Sequence, residues 1–190
     1  MTGKGELSEW RDYKAVMLHD RGCAAFFQEN QQLLDWVNHQ PLSNPVTCLG
    51  DGHPGVWNLI TEIATPQQRR EILDWYHLKE NLYKVGGSNQ RLQTVETSLW
   101  YGKVDEATAA FAHWDSPKVK NFLAYLEKHR LRIPDYQNLQ SQGITIGSGA
   151  VESGIKQIGS RVKISGAQWN RKNLPQVLKQ RCAYLNLDCV

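Results

Sequence analysis

The sequence predicts an α/β protein in which a long helical stretch interrupts a small sheet. Apolar segments of strand-like and helix-like period alternate over residues 13–74, whereas residues 76–131 show helical periodicity almost throughout. Alternating strands and helices favour a parallel sheet with helices packed against it. With 190 residues, 41% of them hydrophobic and 22% charged, the chain is long enough for a domain with a real core and is not of the disordered type.

Three strands and two helices are expected before residue 75. Residues 13–19 alternate in a manner typical of a strand, and apolar residues recur at helical spacing over residues 26–39, before Pro41. The apolar run at residues 46–50 predicts a short buried strand. A second helix is expected around Trp57 and Ile60, and residues 71–74 predict a third strand. We expect these strands to pair in parallel.

The rest of the chain is predicted to be helical. Four apolar stripes lie between residues 78 and 126, separated by glycines or a Ser-Pro pair. A later helix is expected to follow Ser148, a favourable N-cap residue, and the last helix is expected to start near Asn173. The predicted apolar stripe of the later helix comprises Val151, Ile155, Ile158 and Val162. The predicted buried residues of the last helix are Leu174, Val177, Leu178, Cys182 and Leu185.

Composition excludes several classes of protein. No apolar stretch is long enough to span a bilayer, and the N-terminal residues lack the apolar core of a signal peptide, so we expect a cytoplasmic protein that does not associate with membranes. The four cysteines form no CxxC pair, which argues against a zinc finger, and a reducing compartment argues against disulfides. Cys48 and Cys182 are expected to be small buried apolar residues.

Charge is distributed unevenly along the chain. Residues 117–190 contain 12 Lys and Arg against 4 Asp and Glu, whereas residues 1–116 contain 10 against 15. No acidic residue lies between Glu152 and Asp188, while seven basic residues do. Such a cluster suits a polyanion such as nucleic acid; the alternative is a solvated helical surface.

Asp51 stands where the apolar run of residues 46–50 ends, directly before Gly52. A carboxylate at the end of a strand is well placed to hold a hard metal ion. Aspartate is also a favoured turn residue, so the alternative is that Asp51 merely starts a turn.

Asp74-Trp75-Tyr76-His77 is a second candidate constellation, because a spacing of three residues at a helix start lets Asp74 and His77 face the same cleft. His77 would then act as a general acid or base, or orient a phosphate. The alternative is a partly buried histidine paired with a local carboxylate.

Glu152 is the third candidate acid, and it falls in the first turn of a predicted helix, where the helix dipole favours negative charge. Carboxylates that converge on divalent metal ions can drive phosphoryl transfer. Because hard cations require several oxygen ligands, such a site usually needs about three carboxylates.

The basic segment of residues 163–172 combines cations with one aromatic side chain. Lysine and arginine neutralise phosphates, and Trp169 either stacks on a base or anchors the segment to the core. The candidate nucleic-acid contacts of this segment and the preceding helix are Lys156, Arg161, Lys163, Trp169, Arg171 and Lys172.

Taken together and in this order, the motifs resemble the insertion-sequence transposases of the ISKra family, which belong to the DDE transposases with a ribonuclease-H-like fold. The resemblance includes the Trp10-Arg11-Asp12-Tyr13-Lys14 segment, the Gly50-Asp51-Gly52-His53 loop, the Asp74-Trp75-Tyr76-His77 motif, Ser148-Gly149-Ala150-Val151-Glu152 and Ser165-Gly166-Ala167-Gln168-Trp169. It extends further over residues 80–87 and 181–186. The combined pattern covers nearly the whole chain.

The resemblance implies a role for each motif. Asp51 matches the second catalytic aspartate and Glu152 the catalytic glutamate, and both would bind Mg²⁺ or Mn²⁺. Asp74 and His77 match a motif near the site but outside the metal-binding triad. The implied organisation is a partial ribonuclease-H-like core over residues 1–75, a helical insertion over 76–140, and C-terminal helices over 141–190 that complete the core. The implied partners are DNA, as transposon ends and target, and either a second copy of the chain or an upstream transposase half.

One departure from the family pattern matters most. The family's first catalytic aspartate lies on a strand upstream of the segment that begins at Trp10, and neither Asp12 nor Asp20 occupies that position. We therefore expect a truncated core without its central first strand, and little or no activity from this chain alone. The alternative function is a non-catalytic nucleic-acid-binding or regulatory remnant. A metal-dependent hydrolase of another kind, with His53 as a third ligand, is a more distant possibility.

Overall fold

The structure is a computed structural model that describes residues 12–19, 22–164 and 168–187. The described strands are β1 Tyr13–Leu18, β2 Gly22–Phe27, β3 Val46–Gly50 and β4 Arg69–Leu73. The described α-helices are α1 Asn30–Asn38, α2 Pro54–Ile60, α3 Trp75–Lys84, α4 Asn89–Trp100, α5 Val104–Ala109, α6 Pro117–Lys128, α7 Tyr136–Ser141, α8 Gly149–Val162 and α9 Leu174–Leu187. Short 3-10 helices cover Pro66–Gln68 and Arg130–Arg132. The protein is thus helix-rich with small sheets.

The chain divides into two compact units. Within the described residues, the first unit consists of residues 12–42 and 149–187, and the second of residues 43–148. No helix of the described residues is long and apolar enough to cross a membrane.

The first unit is built on an antiparallel pair of strands. β1 and β2 pair from Tyr13 opposite Phe27 to Leu18 opposite Gly22, and α1, α8 and α9 pack on this pair. The buried core residues are Cys23, Ala25, Phe27, Ile158, Leu178 and Cys182. Asn186 of α9 extends this packing to the backbone, because its amide accepts a hydrogen bond from Cys23 N at 2.8 Å and donates one to Cys23 O at 3.1 Å.

Two predictions for this region are wrong. Residues 26 and 27 do not begin a helix: Phe26 and Phe27 belong to β2, and α1 begins only at Asn30, after Gln28 with a φ of 59°. β1 also pairs with β2 in the antiparallel direction, whereas we expected it to pair in parallel with the other predicted strands. The reason is that β2 is buried along nearly its whole length and therefore lacks the alternation that distinguishes a strand from a buried helix.

The buried face of α8 also differs from its predicted stripe. Ile158 is fully buried, but Ile155 is 39% exposed, and the buried positions include Gly154 and Gly159. A Cβ on Gly154 would lie 2.5 Å from the Met17 sulfur, so α8 approaches β1 along its glycines rather than along its aliphatic residues. In α9 the prediction holds better, since Leu178 and Cys182 are buried and the helix starts at Leu174, one residue after the expected start.

The second unit contains the parallel pair of β3 and β4, surrounded by helices α2 to α7. The two strands pair from Val46 opposite Arg69 to Gly50 opposite Leu73, which confirms both predicted strands and their parallel direction. Ala110, Trp114 and Tyr125 of the predicted helical stripes are only partly buried, but the stripes are otherwise confirmed by members that are among the most buried residues of the unit. These are Leu78, Leu82, Leu92, Val95, Leu99, Val104, Ala107, Phe111, Phe122 and Leu126.

Candidate active site

Two aspartates leave the same edge of the β3–β4 pair. Asp51 follows Gly50 and Asp74 follows Leu73, and Gly50 and Leu73 are register partners. The backbone N–H of Asp74 donates to Gly50 O at 2.8 Å, which continues the ladder by one more bond. Because parallel strands end at a common edge, both carboxylates belong to the carboxyl end of this sheet.

Asp51 has features of both roles considered for it, as a turn residue and as a carboxylate that is accessible to a metal ion. Its Oδ1 accepts a hydrogen bond from His53 N at 2.9 Å, which is the turn geometry that aspartate favours. The residue is nevertheless exposed. Asp51 is therefore a turn residue that still presents a carboxylate to solvent.

His53 has a structural function of its own. It is the N-cap of α2, and its Nδ1 accepts a hydrogen bond from Gly55 N at 3.1 Å. That nitrogen is committed to the helix start, so only Nε2 of His53 remains for another ligand.

Asp74 is fully buried, and both of its oxygens are engaged. Oδ1 accepts from His77 N at 2.8 Å and so caps the start of α3, while Oδ2 accepts from the main-chain N–H of Ser148. The neighbouring Trp75 N donates to Ile146 O at 3.0 Å. Asp74 therefore joins three pieces of backbone: the end of β4, the start of α3 and the segment at residues 146–148.

His77 lies beside Asp74, as the spacing of three residues predicted. Its Nδ1 is 3.1 Å from Asp74 Oδ1, although the angle between them is not that of a hydrogen bond, and Nδ1 is buried without another partner among the described residues. One third of the His77 side chain is exposed, so the ring is open to solvent elsewhere.

Two aromatic side chains pack against the Asp51 loop, and the sequence does not predict a role for either of them at this site. A Cβ on Gly50 would lie 2.7 Å from the ring of Trp57, and a Cβ on Gly52 would lie 2.8 Å from the ring of Tyr125. Gly52 also has a φ of +96°, which favours glycine for conformational reasons. The glycines on both sides of Asp51 were the sequence signal for this packing, because a glycine often marks a position where another group approaches the backbone closely.

His129 completes this aromatic group and is fully buried. Its ring centroid lies 4.8 Å from that of Tyr125 and 5.9 Å from that of Trp57. Burial, reinforced by the cations of Arg132 and Lys128, lowers the pKa of His129 to about 4, while the backbone of Gly52 acts in the opposite sense. His129 is therefore a neutral side chain at neutral pH.

A charged cluster holds β4 against the 3-10 helix Arg130–Arg132, which follows α6. Glu71 accepts from Arg69 Nε at 2.8 Å and from Arg132 Nε at 2.7 Å, and the Arg132 guanidinium lies 4.2 Å from the centre of the Trp57 ring. Burial raises the pKa of Glu71, but the two arginines outweigh that effect and the net pKa is lowered. This cluster is structural, since its charges are satisfied within the unit.

Glu152 lies in the first unit, exposed in the first turn of α8 as predicted. Carboxylates such as those of Asp51 and Glu152 are the oxygen ligands that Mg²⁺ and Mn²⁺ prefer, so the chemistry of this pair fits such a cation. Over residues 12–19, 22–164 and 168–187, however, no group of three or more His, Cys, Asp or Glu side chains could hold a metal ion together.

The predicted nucleic-acid contacts are mostly exposed. Lys156, Arg161, Lys163, Arg171 and Lys172 are all open to solvent. Of these, Lys156, Arg161, Lys163 and Lys172 form no ion pair with a carboxylate of the described residues. In the second unit, by contrast, most lysines and arginines are paired, as in Lys79–Glu96, Lys84–Glu80, Lys103–Glu106, Lys120–Asp115 and Arg130–Asp105.

Trp169 anchors its segment to α8. Its Nε1 donates to Val162 O at 2.8 Å, and the residue is 37% exposed. Anchoring was one of the two predicted roles, and the exposed part of the ring leaves stacking open. Residues 165–167 of the same motif lie outside the described residues.

Comparison of the chain with protein-family models, curated proteins and solved structures yields no match. Function is therefore inferred from the geometry of the site and from the motifs in the sequence.

Proposed function

We propose that this chain is part of a DDE-type transposase, in which Asp51 and Glu152 serve as ligands for Mg²⁺ or Mn²⁺. The activity of such an enzyme is cleavage of DNA at the ends of an insertion sequence and joining of those ends to a target. The proposed core is ribonuclease-H-like, with its central strand and first aspartate supplied from outside these 190 residues. On this proposal the chain alone has little or no catalytic activity.

The observation that carries the proposal is the exposed carboxylate of Asp51 at the carboxyl end of a parallel strand pair. Aromatic rings pack against the glycines on both sides of Asp51, and the register of β3 and β4 brings Asp74 to the same edge of the sheet. Asp74 is buried with both oxygens engaged, which suits a residue that shapes the site rather than a metal ligand. This agrees with the expected place of the Asp74-His77 motif outside the triad.

The strand pairs offer further support. Among the described residues, β1–β2 and β3–β4 are separate two-stranded sheets, and sheets of two strands are marginal on their own. Each strand has one edge without a partner strand, and such an edge is available to another strand. A core that receives one more strand is therefore physically reasonable.

The proposed reaction is a phosphoryl transfer. The oxygen of water attacks the phosphorus at a transposon end, the bond from phosphorus to the 3′ oxygen breaks, and a free 3′-hydroxyl results. In the joining step this hydroxyl attacks a target phosphate and displaces the target's own 3′ oxygen. A divalent cation, when bound, activates the attacking oxygen and stabilises the leaving one. Asp51 and Glu152 would hold that cation.

Metal binding is the direct test. Mn²⁺ is titrated into the native chain, Asp51→Asn and Glu152→Gln. The concentration of unbound Mn²⁺ is followed by electron paramagnetic resonance. We expect weak saturable binding that each substitution reduces. Glu80→Gln is the matched control, because Glu80 is an exposed carboxylate engaged with Lys84. Equal affinity in all four proteins would contradict the proposal.

A strand-transfer assay tests the incompleteness of the catalyst. The chain is incubated with Mg²⁺ or Mn²⁺, a duplex that carries the terminal repeat of its own element, and a plasmid target. We expect no joined product. Robust joining that depends on Asp51 would show that the chain is a complete transposase, and the part of the proposal that supplies an aspartate from elsewhere would then be wrong.

A second candidate function is nucleic-acid binding without catalysis, and it is favoured by the exposed side chains of Lys156, Arg161, Lys163 and Lys172, which pair with no carboxylate of the described residues. Binding to duplex DNA should then weaken steeply as salt rises, since contacts to phosphates release counterions. The double variant Lys156→Gln, Lys172→Gln should reduce both the affinity and the salt slope, whereas Lys84→Gln should not. Asp51→Ala with Glu152→Ala should leave DNA binding intact. Salt-insensitive binding, or none at low salt, would eliminate this candidate.

A further inference from the structure

Asp51 lies between two residues that are held by aromatic rings. We call Trp57 and Tyr125 the aromatic clamp: the ring of Trp57 fills the space beside Gly50, and that of Tyr125 fills the space beside Gly52. Trp57 comes from α2, next to the loop, but Tyr125 comes from α6, more than 70 residues further along the chain. The helical stretch therefore reaches the candidate catalytic loop through the side chain of Tyr125, in addition to the interaction of His129 with the backbone of Gly52.

The hydroxyl group distinguishes Tyr125 from a simple space-filling ring. Its oxygen would lie 2.9 Å from a Cβ on Gly52, so it sits directly against the residue that follows Asp51. The oxygen is buried and lies near the Asn81 side chain, but it forms no hydrogen bond of normal geometry with the described residues. A buried hydroxyl without a partner is costly, and a phenylalanine would fill the same space without that cost. The position of this oxygen therefore points to a partner that is engaged in the working state.

The position of the hydroxyl beside Gly52 makes a neighbouring carboxylate its natural acceptor. Burial raises the pKa of Tyr125 to about 12, a weak side-chain hydrogen bond with Asn81 lowers it, and the negative charges of Asp51 and Asp74 raise it further. The phenol therefore keeps its proton at neutral pH and can donate. Of the two carboxylates, Asp74 already has both oxygens engaged with backbone N–H groups, whereas Asp51 is exposed and next to Gly52.

We propose that Tyr125 is a positioning residue for Asp51, with its ring supporting the loop at Gly52 and its hydroxyl donating a hydrogen bond to the Asp51 carboxylate when that carboxylate binds a divalent cation. This inference rests on the proposed function of Asp51 as a metal ligand. Its physical basis is general: groups that orient a ligand carboxylate fix its rotamer and thereby raise its affinity for the metal.

Tyr125→Phe separates the hydroxyl from the ring. We expect Mn²⁺ affinity to fall by about tenfold, the lower end of what loss of an orienting partner costs. The urea midpoint of unfolding should stay the same or rise, because no hydrogen bond of normal geometry is lost. Tyr136→Phe is the matched control: its hydroxyl donates to Leu73 O at 2.8 Å, so we expect a lower urea midpoint with unchanged Mn²⁺ affinity.

A spectroscopic measurement tests the contact without relying on affinity. The chain is labelled with 3-fluorotyrosine, and the ¹⁹F resonance that Tyr125→Phe removes is followed as Mg²⁺ is added. We expect this resonance to shift in the native chain and to stay in place in Asp51→Asn. The Tyr136 resonance should not respond in either protein.

The outcomes separate the two proposals. In one outcome, Asp51→Asn weakens Mn²⁺ binding, but Tyr125→Phe does not, and the ¹⁹F resonance of Tyr125 does not shift with Mg²⁺. The inference about Tyr125 is then wrong and the proposed function stands. If Tyr125→Phe lowers affinity and urea midpoint together, its role is structural and the inference is likewise wrong. If neither Asp51→Asn nor Tyr125→Phe changes Mn²⁺ binding, or the native chain shows no saturable binding, both proposals are wrong.

Discussion

The buried carboxylate of Asp74 accepts a hydrogen bond from the main-chain N–H of Ser148, although 74 positions separate them in the sequence. The same side chain caps α3 through His77 N, and its own backbone N–H extends the ladder of β3 and β4. Asp74 thus connects the end of the β3–β4 pair, the start of α3 and the segment at residues 146–148.

Asp74→Ala should destabilise the protein more than removal of an ordinary helix cap. Loss of an exposed cap costs about 1 kcal/mol, and a buried N–H left without a partner adds about 1–3 kcal/mol. Asp135→Ala is the control, because exposed Asp135 caps α7 through Asn138 N at 2.9 Å and has no comparable buried partner. Urea unfolding should show roughly 3 kcal/mol lost for Asp74→Ala and about 1 kcal/mol for Asp135→Ala. Equal losses would mean that the Ser148 contact contributes nothing.

Gly50→Ala should destabilise the protein through a steric clash. The new methyl carbon would lie 2.7 Å from the ring of Trp57, which is 4% exposed and covered by Arg132, so the ring has no free space to move into. Overpacking of this kind costs about 1–3 kcal/mol. Gly149→Ala meets no atom within 4 Å at the start of α8 and should be neutral or slightly stabilising. A neutral Gly50→Ala in thermal or urea unfolding would show that the Trp57 ring can yield.

His129 should make the protein less stable in mild acid. Its pKa is lowered from 6.5 to about 4 in the folded state, so between these values the unfolded chain binds a proton that the folded chain does not. Stability is therefore full above pH 6.5 and falls as the pH drops toward 4. The lowered pKa of Glu71 acts only below its ordinary value of 4.5, at the acid end of this range.

The check is the pH dependence of the urea midpoint in native protein and in His129→Phe. The variant keeps an aromatic ring beside Trp57 and Tyr125 but cannot take up a proton. We expect its midpoint to change less than that of the native protein between pH 6.5 and 4.5. Parallel curves for the two proteins would assign the acid sensitivity to other groups.

The buried cysteines should react slowly with thiol reagents. Cys23, Cys48 and Cys182 are 2%, 8% and 4% exposed, and burial raises the pKa of Cys48 to about 11 and of Cys182 to about 12. Because the thiolate is the reactive form, these residues should react with Ellman's reagent far more slowly in native protein than in guanidinium chloride. Fast reaction of Cys48 in native protein, detected by peptide mapping, would contradict this burial.

Much of the second unit could be predicted from the sequence because its signals are local. The apolar run at residues 46–50 ends at a glycine, and the helices from α3 to α6 carry apolar residues three and four positions apart. The strand that ends before Asp74 and the aspartate cap that starts α3 also appear as neighbouring positions in the chain. In each case the physical cause lies within a few residues of its effect.

The rest depended on partners that are distant in sequence. The last two residues of β2 are predicted as the start of a helix because helices α1 and α9 pack on this strand, and its burial removes the alternation of a strand. The face of α8 was misjudged because close approach to Met17 selects its glycines. Tyr125 and His129 were missed because nothing near them in the sequence indicates that they lie beneath the Asp51 loop.

The core of the first unit has a consequence for synthesis of the protein. Cys23 and Phe27 of β2 are covered by Leu178 and Cys182, and Asn186 completes the backbone contacts of Cys23. A ribosome makes β2 early but α9 only after more than 145 further residues. Residues 43–148 form a compact unit of their own and can fold before α9 is available to cover the apolar strand β2. During that interval β2 is exposed to aggregation, so expression conditions that slow translation near the end of the message should lower the soluble yield.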